Sequence, residues 1–140
     1  MKDLKYLFAY LLPLSAVLAL YAQGPWAWAT VILGFVIIPV LEQWLPQSAA
    51  NVPPEAEEGL ARRRFFDMLL YLNLPALFLI VIWYLIVIQY YTLDWTTLLG
   101  LTLSTGIIVG AIGINVAHEL GHRDQPFEQI LSKWMLLPAL

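Results

Sequence analysis

The stretch WTTLLGLTLSTGIIVGAIGINVAHELGHRD, residues 95–124, carries no charged side chain from Trp95 to Ala117. It then brings His118, Glu119, His122, Arg123 and Asp124 together at its end. A helix rises about 1.5 Å per residue, so the charge-free part alone can cross a bilayer core about 30 Å thick. The chain has only two histidines, and both stand where this run ends.

The same pattern extends through the rest of the chain. No charge occurs from Tyr6 to Leu41, a run too long for one crossing, and Gln23-Gly24-Pro25 interrupts it. Glycine ends a helix and proline can begin the next, so two helices are expected near 4–22 and 26–45. A further uncharged run, Met68–Leu93, predicts a helix over 68–91. The quoted stretch predicts one over 97–122. Lys2 and Lys5 ahead of an apolar segment resemble a signal peptide, but a second spanning segment follows at once, which fits a helical hairpin better. The expected fold is all-α, one integral-membrane domain over 1–140: a multi-pass transmembrane bundle of four spanning helices plus a short C-terminal helix.

Composition supports a lipid environment. Hydrophobic residues make up 61% of the 140 residues, charged residues only 12%, and mean hydropathy is +0.74. Soluble domains carry about a quarter charged residues. A net charge of -3 without a basic face argues against nucleic acid as a partner. The absence of cysteine removes disulfides and thiolate metal sites. The seven basic residues, Lys2, Lys5, Arg62, Arg63, Arg64, Arg123 and Lys133, fall at the N-terminus, between helices two and three, or after helix four. With four crossings these regions share one side, so both termini are expected to be cytoplasmic.

The 46–67 connection opens with Asn51-Val-Pro-Pro-Glu-Ala-Glu-Glu, prolines followed by carboxylates, and predicts a short cytoplasmic helix. The run Arg62-Arg63-Arg64 serves as an orientation signal or binds anionic headgroups. After Asp124-Gln125-Pro126, the residues Phe127, Ile130, Leu131, Trp134 and Leu137 recur at helical spacing, with Glu128 and Lys133 off the stripe. A helix over 126–138 is expected, lying in the cytoplasmic interface or sealing the floor of a metal site. Gly106-Ile-Ile-Val-Gly110 is a small-xxx-small pattern, suited to close helix packing or to a substrate groove. The six tryptophans fall mostly near expected interfaces.

His118 and His122 are i and i+4, offset by about 40° and one turn apart, so both imidazoles can approach one ion or two adjacent ions. Asn115 shares their face. Glu119 lies about 100° from His118 and is better placed to pair with Arg123 than to sit between the histidines. Three readings remain open from the residues. The pair can be two amphipathic side chains at the headgroup level of a non-catalytic membrane protein, although ionisable groups at a membrane helix end tend to mark function. His118-Glu119-Leu120-Gly121-His122 also matches the His-Glu-x-x-His zinc peptidase pattern, which needs a further ligand. The third reading is a non-haem iron site built on imidazoles.

With its flanks, Asn115-Val-Ala-His-Glu-Leu-Gly-His-Arg123 resembles the first histidine motif of the membrane-bound alkane monooxygenases, di-iron enzymes related to the membrane fatty-acid desaturases. Ile38-Pro39-Val40-Leu41-Glu42, Pro53-Pro54-Glu55, Arg63-Arg64-Phe65-Phe66 and the segment Phe127–Leu140 occur in that family's order. The resemblance implies that His118 and His122 are iron ligands. Glu119 and Asn115 would orient those ligands or tune the iron, and Glu42 would either join them or be an interfacial carboxylate that snorkels to water. It implies hydroxylation of the terminal carbon of alkanes or similar alkyl chains with O₂, a rubredoxin-like electron donor, and a bacterial inner-membrane location. The family's later histidine clusters have no counterpart among these residues. The chain is therefore expected to be an N-terminal part, inactive alone, because two imidazoles cannot complete two iron sites.

Overall fold

A computed structural model describes residues 9–44 and 64–139. The expected short helix in the 46–67 connection, the side chains of the Arg62-Arg63-Arg64 run, and residues 1–8 of the first segment lie outside the described residues. The described residues form helices and no strands: α1 (Leu11–Ala22), α2 (Gly24–Trp44), α3 (Arg64–Tyr90), α4 (Trp95–Gly121) and α5 (Pro126–Leu136). α2, α3 and α4 are each long and apolar enough to cross a membrane. The described part of α1 has 12 residues, which is about 18 Å of helix.

Local sequence explains where the helices begin and end. Pro13 lies in the first turn of α1, where an N–H has no partner to lose. α1 stops at Gln23, whose N–H still bonds Ala19 O at 3.0 Å. Gln23 (φ 53) and Gly24 (φ 51) both take positive φ, reversing the chain, and Pro25 then opens α2 as a 3₁₀ turn over Gly24–Trp28. A glutamine there is strained, because only glycine takes that region without a Cβ clash. α4 begins at Asp94, whose carboxylate accepts from the Thr97 N–H at 3.0 Å and from the hydroxyls of Thr96 and Thr97. These bonds hold the Asp94 carboxyl well below the usual carboxylate range. α3 starts at Arg64, ahead of the expected Met68, and runs to Tyr90 through Pro75.

Two helices contain π turns. Leu33–Ile37 in α2 precedes Pro39, which lacks the N–H that would continue the regular ladder. Val109–Ile114 in α4 contains Gly110 and Gly113, weak helix formers.

The core mixes alanines with larger aliphatic side chains. Ala16, Ala19 and Leu20 of α1, Ala27 of α2, Leu77, Ile80 and Val87 of α3, and Leu101, Ile108 and Ala117 of α4 are buried together. α4 crosses the 3₁₀ turn of α2 so closely that a Cβ on Gly100 would lie 2.9 Å from Trp28 Nε1 and 3.0 Å from Ala27 Cβ. At the same crossing Ser104 Oγ donates to Ala27 O at 2.7 Å. Ser15 Oγ reaches Thr30 Oγ1 at 3.0 Å between α1 and α2. The Gly106-x-x-x-Gly110 pattern does not act as a packing seam here. A Cβ on either glycine would meet nothing within 4 Å among the described residues, and Gly106 is exposed. The close approaches occur instead at Gly100, Gly113 and Gly121. Trp26, Trp44, Trp95 and Trp134 are exposed, whereas Trp28 and Trp83 pack against the core.

An apolar groove of about 620 Å³ lies between α1 and α3. Its walls include Tyr10, Leu14, Val17, Ala76, Ile80 and Trp83. Exposed Leu14 and Leu79 show that it opens outward.

Candidate metal-ligand pair and the charged cluster beside it

His118 and His122 stand at the end of α4, with ring centroids 4.4 Å apart and planes at 80°. Their spacing along the helix is set by the sequence, but their direction is not. The π segment Val109–Ile114 lies immediately before the regular turns Asn115–Gly121. Each extra residue taken up in a wide turn rotates the remainder of the helix by about 100° relative to an unbroken one. In the resulting phase Ala117 and Leu120 are buried, while Asn115, His118, Glu119 and His122 are exposed.

α5 covers the opposite side of this helix end. Ser132 Oγ donates to Ala117 O at 2.7 Å, a buried bond. A Cβ on Gly121 would lie 3.1 Å from Ser132 Oγ, so the glycine between the two histidines is the place where α5 crosses. A Cβ on Gly113 would lie 3.3 Å from Leu77 Cδ2 and 3.4 Å from Met135 O, which ties α3 and α5 to the π segment. α5 meets the bundle through Glu128, Ser132 and Met135. Its stripe of Phe127, Ile130, Trp134 and Leu137 is exposed. Glu128, read from sequence as a polar residue off the stripe, is therefore buried. The helix turns its mixed face inward and its apolar face outward.

Glu128 is buried because a partner meets it. Arg123 Nη1 lies 2.7 Å from Glu128 Oε1 and 2.6 Å from Asp67 Oδ1. Tyr71 OH donates to Glu128 Oε1 at 2.7 Å. Glu119 joins more loosely, 3.7 Å from Arg123 Nε and exposed, which gives the i,i+4 pairing expected from sequence. Burial disfavours the charge on Arg123, but the bonds to Asp67 and Glu128 outweigh it and raise the guanidinium above its ordinary pKa. The Arg123 carbonyl also accepts from Gln129 Nε2 at 3.1 Å. Asp67, Tyr71 and Glu128 were not legible as site residues. The available signal was a carboxylate at the start of an apolar helix, with a tyrosine one turn on.

The donor chemistry suits a metal in part. Two imidazoles one turn apart offer two nitrogens to one ion. Among the described residues no group of three or more His, Cys, Asp or Glu side chains could hold a metal ion. The pair stands without a third such side chain beside it among the described residues. Asn115 stands one turn before His118 on the exposed side. Glu42 lies exposed in the last described turn of α2 and has no hydrogen bond or ion pair among the described residues.

Three apolar helices of spanning length, one of them ending in a pair of neighbouring imidazoles, describe an integral membrane protein. No family model matches the chain. It is similar to alkane 1-monooxygenase 2 of Pseudomonas aeruginosa, 35% identical over 123 residues, which is 84% of this chain and 32% of that protein. It is similar to an alkane 1-monooxygenase of Pseudomonas putida, 29% identical over 103 residues, 71% of this chain and 25% of that protein. It also resembles alkane 1-monooxygenase 1 of Alcanivorax borkumensis, 26% identical over 139 residues, 94% of this chain and 33% of that protein. The chain spans about a third of the length of the curated relatives it matches. It is related in sequence to the alkane monooxygenases, the family its histidine motif resembles.

Proposed function

We propose that the chain is part of a membrane di-iron monooxygenase that hydroxylates the terminal carbon of alkanes or similar alkyl chains. One observation carries the reading: the only two histidines stand one turn apart, exposed, at the charged end of a spanning helix, in a chain related to alkane 1-monooxygenases. His118 and His122 supply two iron ligands. Asn115 and Glu119 flank them and orient the imidazoles or tune the iron, and Glu42, near the cytoplasmic end of α2, is a further candidate for that role. Iron held by these residues would supply the O₂ chemistry: with two electrons from a rubredoxin-like donor and two protons, one oxygen atom would enter a C–H bond and the other would leave as water.

The helices have two tasks in this reading. They hold the imidazoles at the membrane edge, and they offer apolar walls to a substrate with no polar group to recognise. The chain crosses the bacterial inner membrane four times with both termini cytoplasmic, which gathers its basic residues on one side. The outward stripe of α5 lies in the cytoplasmic interface. The 140 residues alone do not turn over substrate, since they contain only two imidazoles.

The test is production of 1-alkanol from an n-alkane in cells. The 140-residue chain alone is expected to give none. A protein that continues in frame beyond Leu140 into further histidine clusters is expected to give product and to contain iron. His118→Ala or His122→Ala in that protein should abolish both. Unchanged turnover in the double variant would sink the reading in favour of a non-catalytic helix end. Zinc in place of iron, with peptide cleavage, would favour the peptidase.

A further inference from the structure

We infer that Arg123 is a positioning residue for the histidine pair, anchoring the last turn of α4 to α3 and α5 through Asp67 and Glu128. The inference rests on the reading of His118 and His122 as a ligand pair. His122 is the C-terminal cap of α4, outside its regular turns. The backbone bonds of this turn, His122 N to His118 O at 3.2 Å and Arg123 N to Leu120 O at 3.4 Å, are longer than the 3.0 Å from Leu98 N to Asp94 O at the other end of the helix. Helix ends fray, because the last carbonyls lack partners within the helix. An imidazole in such a turn would wander relative to one in the regular helix.

Arg123 removes that freedom by three attachments on the residue next to His122. Its guanidinium reaches Asp67 on α3 at 2.6 Å and Glu128 on α5 at 2.7 Å, and its carbonyl takes the Gln129 amide at 3.1 Å. The acceptors are held in turn. Glu128 is buried and also bonded by Tyr71. Tyr71 packs edge-on against Phe127, ring centroids 6.0 Å apart. Both carboxylates bond the same nitrogen, Nη1, whose two hydrogens are fixed in the guanidinium plane, whereas an ammonium rotates freely on a flexible stem and does not hold two acceptors in fixed directions. Groups that orient ligands typically change metal affinity by about 10–100-fold when removed.

The probe is Cu²⁺–iminodiacetate, bound by the 140-residue chain in detergent. The chelator leaves room for two imidazoles, so the pair needs no third protein ligand. The parent is expected to show a two-imidazole signature in pulsed EPR. Arg123→Lys and Asp67→Asn should retain helix content by circular dichroism, bind the probe about tenfold more weakly, and shift towards a single-imidazole signature. Lys133→Gln, exposed on α5, should match the parent. Parent-like affinity and signature in both folded variants would overturn the inference. Collapse of helix content in both would also overturn it, because the cluster would then hold the fold and not the pair. A parent without the two-imidazole signature would fail the ligand-pair reading itself, and that failure is visible before any variant is made.

Discussion

Arg123 and Asp67 lie 56 residues apart in sequence, and their side chains meet at 2.6 Å. The bond joins the start of α3 to the end of α4, and Glu128 of α5 bonds the same Nη1 nitrogen. Three helices therefore converge on one guanidinium immediately after the second histidine.

The first prediction concerns that convergence. Arg123→Ala leaves the Glu128 carboxylate, 5% exposed, without its cation. Removing one partner of a buried pair typically costs about 3–5 kcal/mol, and the partial exposure of Arg123 puts the expected loss near the lower figure. Glu119→Ala, by contrast, removes a loose exposed contact at 3.7 Å and should cost less than about 1 kcal/mol. Unfolding of both variants in mixed detergent and denaturant measures the difference.

Gly100 and Gly106 should respond in opposite directions to alanine. At Gly100 the added Cβ would meet Trp28 Nε1 at 2.9 Å and Ala27 Cβ at 3.0 Å, so two neighbours would have to shift at once. Overpacking of this kind costs about 1–3 kcal/mol. At Gly106 nothing lies within 4 Å, so Gly106→Ala should raise stability by about 0.5–1 kcal/mol through helix propensity. Equal effects would show that the α2–α4 crossing is misplaced.

Gln23→Gly should stabilise the hairpin between α1 and α2. Gln23 has φ 53 and ψ -158, a region glycine occupies freely and other residues enter at a cost of order 1–3 kcal/mol. A rise in the thermal midpoint is expected, and a fall would mean that the glutamine side chain contributes more than the strain removes.

The cap of α4 predicts a pH dependence. Asp94 is depressed below its ordinary value of 3.8 by its bonds to Thr96 and Thr97. A depressed carboxylate stabilises fully above the unfolded-state pKa and loses that contribution as pH falls through the folded value. The Asp94 contribution should therefore be flat from neutral pH to about pH 4 and decline only in stronger acid. Comparing unfolding midpoints of the parent and Asp94→Asn across pH isolates it. A difference that already shrinks well above the ordinary carboxylate range would contradict the cap.

Much of the architecture was legible because lipid imposes a simple rule. A chain that must satisfy its backbone without water forms helices, and charge-free runs mark them. Gln23-Gly24-Pro25 marked the first break, and the His118/His122 spacing comes from helical pitch alone. Less was legible where side chains from different helices decide the outcome. The Gly106/Gly110 pattern suggested a seam, but the seams formed at Gly100, Gly113 and Gly121, where neighbouring helices pass.

The sequence by itself determined the class of the protein, the helical register of the histidine pair and the family it resembles, because hydropathy, pitch and a short motif are local properties. Only the tertiary structure decided which way that pair faces and what holds it. The direction depends on the π turn over Val109–Ile114, and the hold depends on carboxylates from α3 and α5. The hold arises from packing between segments distant in the chain, and the π turn lies ahead of the motif, so no spacing within the motif encodes either. Glu128 shows the reason in one residue: a carboxylate that reads as solvent-facing becomes buried once Arg123 and Tyr71 meet it.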